Sequence, residues 1–165
     1  MPESAAPALL YVLAPGAYDR RMARSFSTTF DVDAPPSQVW FVSTDVEAMP
    51  SLTTSMTRVV LEPKGPLAVG SRARITQPKL STATWTVTEI LPGESWTWET
   101  RASGARTSAT HTVASREGGG SSVTLSVGMT GATAAVAWLV AGNLVRRYVT
   151  AEAHGLKTEC ERRRR

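Results

Sequence analysis

Few residues in this chain could do chemistry. Two histidines, His111 and His154, and one cysteine, Cys160, are its whole stock of imidazole and thiol groups. They leave almost nothing for a metal site, and a lone cysteine forms no internal disulfide. His111 is the main candidate. It lies in Arg106–Arg116, where residues alternate with period two and Ala109, His111 and Val113 share a face. A neutral imidazole on an apolar face can polarise a carbonyl or shuttle a proton in an aldol or dehydration step. The competing role is a buried histidine hydrogen-bonded to a neighbour. Trp85, Trp96 and Trp98 fall in the same phase; such an aromatic wall suits a flat hydrophobic ligand and equally suits a plain core. Arg72 and Arg74 alternate with Ala73 and Ile75 and so read as a solvated strand face, whereas an inward arginine would bind a carboxylate or phenolate. Glu152 lies on the sheet-facing side of the last segment and is expected to pair with an arginine such as Arg24. His154 and Cys160 read as surface or packing residues. There is no Gly-x-Gly-x-x-Gly, no Gly-Lys-Ser/Thr phosphate loop, no His-Glu-x-x-His and no nucleophile elbow, so no cofactor is implied.

The elements that must position these residues follow from pattern. Ser25–Asp33 alternates polar and large apolar residues and reads as a strand ending at Ala34-Pro35-Pro36. Pro36–Ser43 begins with a proline tolerated in a first helical turn and groups Val39, Trp40 and Val42 as a helix would; Val46–Met49 is a second short helical piece, broken by Pro50. Period two then takes over. Strands are expected at Ser55–Glu62, Ser71–Gln77, Thr82–Leu91, Ser95–Arg101, Arg106–Arg116 and Ser121–Gly131. The short turns between them, such as Pro92-Gly93 and Gly118–Gly120, imply an antiparallel meander. Thr133–Glu161 has no proline, and its apolar positions recur at helical spacing over one long amphipathic helix. Gly142 and Gly155 inside it point to close packing or a bend.

Parity sorts the strands into two faces. Trp85, Val87, Trp96, Trp98, Ala109, His111, Val113, Val123, Leu125, Val127 and Met129 take one phase, and threonine and serine dominate the other. A sheet with one such face is half covered, and the C-terminal helix is the element long enough to cover it. Glu89 breaks the apolar phase, as a bulge or an edge near the Pro92 turn would explain.

Composition narrows the class further. The chain has 165 residues, 42% apolar and 19% charged, which fits one globular domain. Its net charge of +4 equals the contribution of Arg162–Arg165 alone, so the body carries no field that would argue for nucleic acid. No apolar stretch approaches the roughly 20 residues of a bilayer span. Ala8–Ala14 has the texture of a signal-peptide core, but Glu3 and no basic residue precede it, so residues 1–24 read as an N-terminal extension and cytoplasmic residence is expected. Residues 162–165 read as a solvated basic tail.

The order of elements resembles the helix-grip fold of the START-like (SRPBCC) superfamily of birch-pollen-allergen type, and within it the bacterial polyketide cyclase/dehydrase-like family. The resemblance rests on Phe30-Asp-Val-Asp-Ala-Pro-Pro-Ser-Gln-Val-Trp-Phe41, Val69-Gly-Ser-Arg72, Trp85–Gly93, Trp96-Thr-Trp98, His111-Thr-Val113 and Arg147–Lys157, and covers about residues 25–161. It implies an α+β fold in which a curved antiparallel sheet of about seven strands wraps a long C-terminal helix, with two short helices after the first strand. It also implies an apolar cavity between sheet and helix for a lipid, polyketide or other small hydrophobic molecule. By analogy with the fold, Met49, Leu52 and Met56 lie near the cavity mouth, Trp138 and Asn143 come from the closing helix, and Trp85, Trp96, Trp98 and Met129 line the sheet side. Binding of a hydrophobic ligand is the leading expectation. A polyketide cyclase or dehydratase using His111 is the second, and an interaction module using the basic tail the third.

Overall fold

The computed structural model describes residues 24–164. Strand β1 spans Arg24–Val32, helix α1 Pro36–Thr44, a 3₁₀ turn Val46–Ala48 and helix α2 Met49–Leu52. Strands β2 Arg58–Glu62, β3 Arg72–Thr76, β4 Ala83–Leu91, β5 Ser95–Ala102, β6 Ala105–Ser115 and β7 Ser121–Gly131 follow, and helix α3 Ala134–Arg163 ends the fold. All seven strands form one antiparallel sheet in the order β1-β7-β6-β5-β4-β3-β2. The meander predicted from the short turns is therefore present, with β1 closing it against β7 through Phe26 opposite Val127 and Phe30 opposite Val123. This is the helix-grip arrangement.

Two details refine the sequence reading. The strand expected from Ser55 starts only at Arg58, because the Ser55 amide donates to Thr53 Oγ1 and its carbonyl accepts from Gln77 Nε2, which makes a turn where alternation suggested a strand. The register slips between Val87 and Glu89, so a bulge sits where Glu89 breaks the pattern. The slip sets Glu89 opposite Thr97 and returns Ile90, opposite Trp96, to the apolar face.

The core has two parts. One joins Val32, Val39, Val42, Val113, Val123 and Leu125 to Ala153, Leu156 and Cys160 of α3. The other joins Trp96, Trp98 and Val87 to Val46, Met49, Met56, Val59, Leu61 and Ile75. Helix α3 packs on β1, β7 and β6. Cover for the tryptophan face is thus shared with the 3₁₀ turn, α2 and β2, where the sequence reading gave it to the long helix alone. Two close approaches fix the frame. A Cβ on Gly155 would lie 2.0 Å from the Leu52 carbonyl oxygen, so this glycine lets α3 press directly on the end of α2. Gly131, at φ +111°, passes the Gly104 carbonyl at a distance no side chain would permit, and the Thr133 hydroxyl then donates to Ser103 O (2.7 Å), tying the start of α3 to the β5–β6 turn. At the other end, Arg162 and Arg163 reach Glu159 and hold its carboxyl at about 2; Arg163 also lies 5.8 Å from the Phe41 ring centroid. Arg72 and Arg74 are exposed, as the alternation indicated.

Candidate functional site

The seam between the two core clusters is where polar chemistry enters the interior. His111, 3% exposed, stands on β6 with Trp96 opposite it on β5 and Leu125 opposite it on β7. Strand pairing brings the rings of His111 and Trp96 face to face, 4.0 Å between centroids and 4° from parallel. Trp98 meets both edge-on, at 5.0 Å from Trp96 and 6.2 Å from His111, and Trp85 extends the aromatic network at 5.4 Å from Trp98. This geometry is the direct product of period two, which puts residues 96, 98 and 111 on one face of neighbouring strands.

Helix α3 brings the second polar group. Glu152 Oε1 lies 2.6 Å from His111 Nε2, a short contact between a buried ring and a largely buried carboxylate. The sequence reading pointed to an arginine such as Arg24 for Glu152; the structure gives it the histidine. In the neutral tautomer that carries its proton on Nε2, the ring donates to Glu152 Oε1 and Nδ1 keeps a lone pair. Among the described residues Nδ1 has no hydrogen-bond partner, and neither do the buried indole nitrogens of Trp85 and Trp96. Buried polar atoms are nearly always paired, so three orphans within one aromatic network mark a place where a further polar group fits.

The remaining candidates divide around this centre. Met49 and Leu52 line a void of about 10 Å³ together with Val42, Thr53, Leu156 and Glu152. That volume accommodates about one water. Met56 packs with Trp96 and Trp98 in the core. Met129 is buried at the far end of β7, opposite Arg24. Trp138 is half-buried, its ring against Gly142 of its own helix, with the Arg146 guanidinium 5.9 Å from it and 5.9 Å from Phe26. Asn143 is exposed. His154 is exposed too, and burial pushes the Cys160 thiol up to about 11. Sequence reasoning did not pick out Tyr148, whose hydroxyl donates to the Pro78 carbonyl and straps α3 to the β3–β4 loop; its place among the helical apolar positions was the only signal. No helix among the described residues is long and apolar enough to cross a membrane.

A family described as polyketide cyclase / dehydrase and lipid transport matches residues 23–161. No curated protein matches the chain. Among solved structures it is similar to the Zhui aromatase/cyclase from Streptomyces sp. R1128, at 18% identity and a TM-score of 0.72 over 86% of this chain and 96% of that one. It is similar also to norcoclaurine synthase from Thalictrum flavum, a point mutant in complex with a transition state analogue, at 12% identity and a TM-score of 0.69 over 86% of this chain and 96% of that one. A third likeness is to the di-domain aromatase/cyclase StfQ from the steffimycin biosynthetic pathway, at 13% identity and a TM-score of 0.68 over 85% of this chain; the chain spans about half of StfQ, 51%. At these identities the likeness concerns the fold.

Proposed function

The chain belongs to the polyketide cyclase / dehydrase and lipid transport family, and on that premise we propose that it binds a small hydrophobic, polyketide-like molecule between the sheet and α3. The observation that carries this reading is the cluster of unpartnered Trp85 Nε1, Trp96 Nε1 and His111 Nδ1 in an otherwise apolar aromatic face. Two indole N–H donors and one imidazole acceptor complement a flat molecule bearing carbonyl and hydroxyl groups. A ligand of ordinary size fills several hundred Å³, far more than the void beside Glu152, so entry displaces Met49 and Leu52. Methionine suits that task, and α2 is only four residues long. Intrinsic tryptophan fluorescence, titrated with fatty acids, sterols, flavonoids and aromatic polyketides, tests the reading, with Trp98→Phe and Trp138→Phe as controls. Saturable quenching that Trp98→Phe reduces supports it; no response across the panel by a folded protein rejects it.

The contact between His111 and Glu152 favours a second reading, in which the same site catalyses cyclisation or dehydration. Nδ1 would take the proton from the carbon between two carbonyls while the new C–C bond forms. The resulting imidazolium, held by Glu152, would return that proton to the alkoxide formed on the attacked carbonyl; for dehydration Nδ1 would then take the remaining proton from the same carbon and deliver it to the new hydroxyl, which leaves as water as the C=C bond forms. The pocket would contribute by holding the chain folded. His111→Ala and Glu152→Gln separate the readings: binding retained with turnover lost identifies the enzyme, and unchanged turnover of a substrate that wild type converts removes His111 from the mechanism.

A further inference from the structure

The first turns of α3 present large apolar side chains to solvent. Val136 is 65% exposed, Leu139 86% and Val140 81%. At 100° per residue they fall within an arc of about 100° that also holds Asn143 and Arg147, both exposed. From Ala134 to Ala151 the helix contains no acidic residue, and Arg146 and Arg147 are its only charges. Thr133 ties this end of the helix to the β5–β6 turn, where Arg101, Ser103, Arg106 and Thr130 line a cleft of about 480 Å³. Arg106 leans on Glu99 at 3.8 Å and on Thr130 at 3.4 Å; Arg101 is exposed. Leu139 lies six residues beyond Thr133, about 9 Å along the axis at 1.5 Å per residue. One end of the molecule therefore combines protruding aliphatic groups with arginines.

We propose that this end docks on an anionic lipid bilayer, with Val136, Leu139 and Val140 entering the headgroup–acyl boundary and Arg101 and Arg147 meeting lipid phosphates. Apolar insertion together with basic charge is what holds an amphipathic surface at such an interface, and each arginine near it strengthens binding about fivefold. Charge complementarity is what selects this occupant. A second copy of the chain would place the same arginines against one another, and a neutral apolar partner would leave them unpaired.

The full chain is sedimented with phosphatidylcholine vesicles and with vesicles containing 30% phosphatidylglycerol, alongside Leu139→Asp, Val140→Asp and Arg101→Glu. These sites are exposed, so circular dichroism should match wild type. The expected result is binding to the anionic vesicles alone, weakened at least tenfold by either aspartate and several-fold by Arg101→Glu, and reduced by 0.5 M salt. Equal vesicle binding by wild type and Leu139→Asp would overturn the proposal, because attachment would then lie elsewhere. So would absence of binding, or a dimer in solution that Leu139→Asp dissociates while vesicles capture nothing.

Discussion

The two halves of α3 are built to opposite specifications. From Val149 to Cys160 the helix buries Ala153, Leu156 and Cys160, presses Gly155 on the Leu52 carbonyl and delivers Glu152 to His111. From Ala134 to Asn143 it exposes Val136, Leu139 and Val140, and the nearest atoms to a Cβ on its own glycine, Gly142, belong to the ring of Trp138. The first arrangement fixes a polar pair inside an apolar interior, which demands rigid support. The second leaves apolar groups to solvent, a cost that packing does not repay. Close packing thus concentrates where the candidate chemistry is, and exposed apolar surface where the helix begins.

Substitutions in matched pairs sharpen this contrast. Leu156→Ala should cost about 3 kcal/mol in urea unfolding, the ordinary penalty for emptying a packed aliphatic site. Gly155→Ala should cost about 2 kcal/mol, since its methyl meets backbone and forces α3 and α2 apart. Gly142→Ala should stay within about 1 kcal/mol of wild type, the gain in helix propensity offsetting a small shift of the Trp138 ring. Leu139→Ala should change stability by less than about 0.5 kcal/mol. A large loss at Gly142 or Leu139 would mean that the first turns of α3 are packed as tightly as the last. The smallest effect concerns reactivity: with its thiol up at about 11 and fully buried, Cys160 should resist alkylation by iodoacetamide at pH 8 in native protein and react once urea unfolds it.

The fold was legible because its signals are local. Prolines and glycines punctuate the strands, threonine and tryptophan alternate along them, and one proline-free segment carries helical spacing. Parity also placed His111, Trp96 and Trp98 on one face, since strand pairing carries that information directly. What parity could not supply was the partner of Glu152. That contact joins residues 41 apart and depends on how far α3 slides along the sheet, which the Gly155 approach to Leu52 sets. The cover over the tryptophans was hidden for the same reason. Val46, Met49 and Met56 belong to short irregular pieces whose placement comes from tertiary packing and not from any period. Leu139 and Val140 fall outside the apolar stripe that marks α3, and their exposure follows that pattern.

Met49 reports most directly on whether a ligand reaches the seam between sheet and helix, because it lines the void with Glu152 and must move for anything larger than water to enter. The measurement is the spectrum of ¹³C-methyl methionines with and without a saturating concentration of the strongest-quenching aromatic polyketide. A ligand lodged at this seam shifts the Met49 resonance of the wild-type protein. A bound ligand that leaves the Met49 resonance unmoved would contradict binding there.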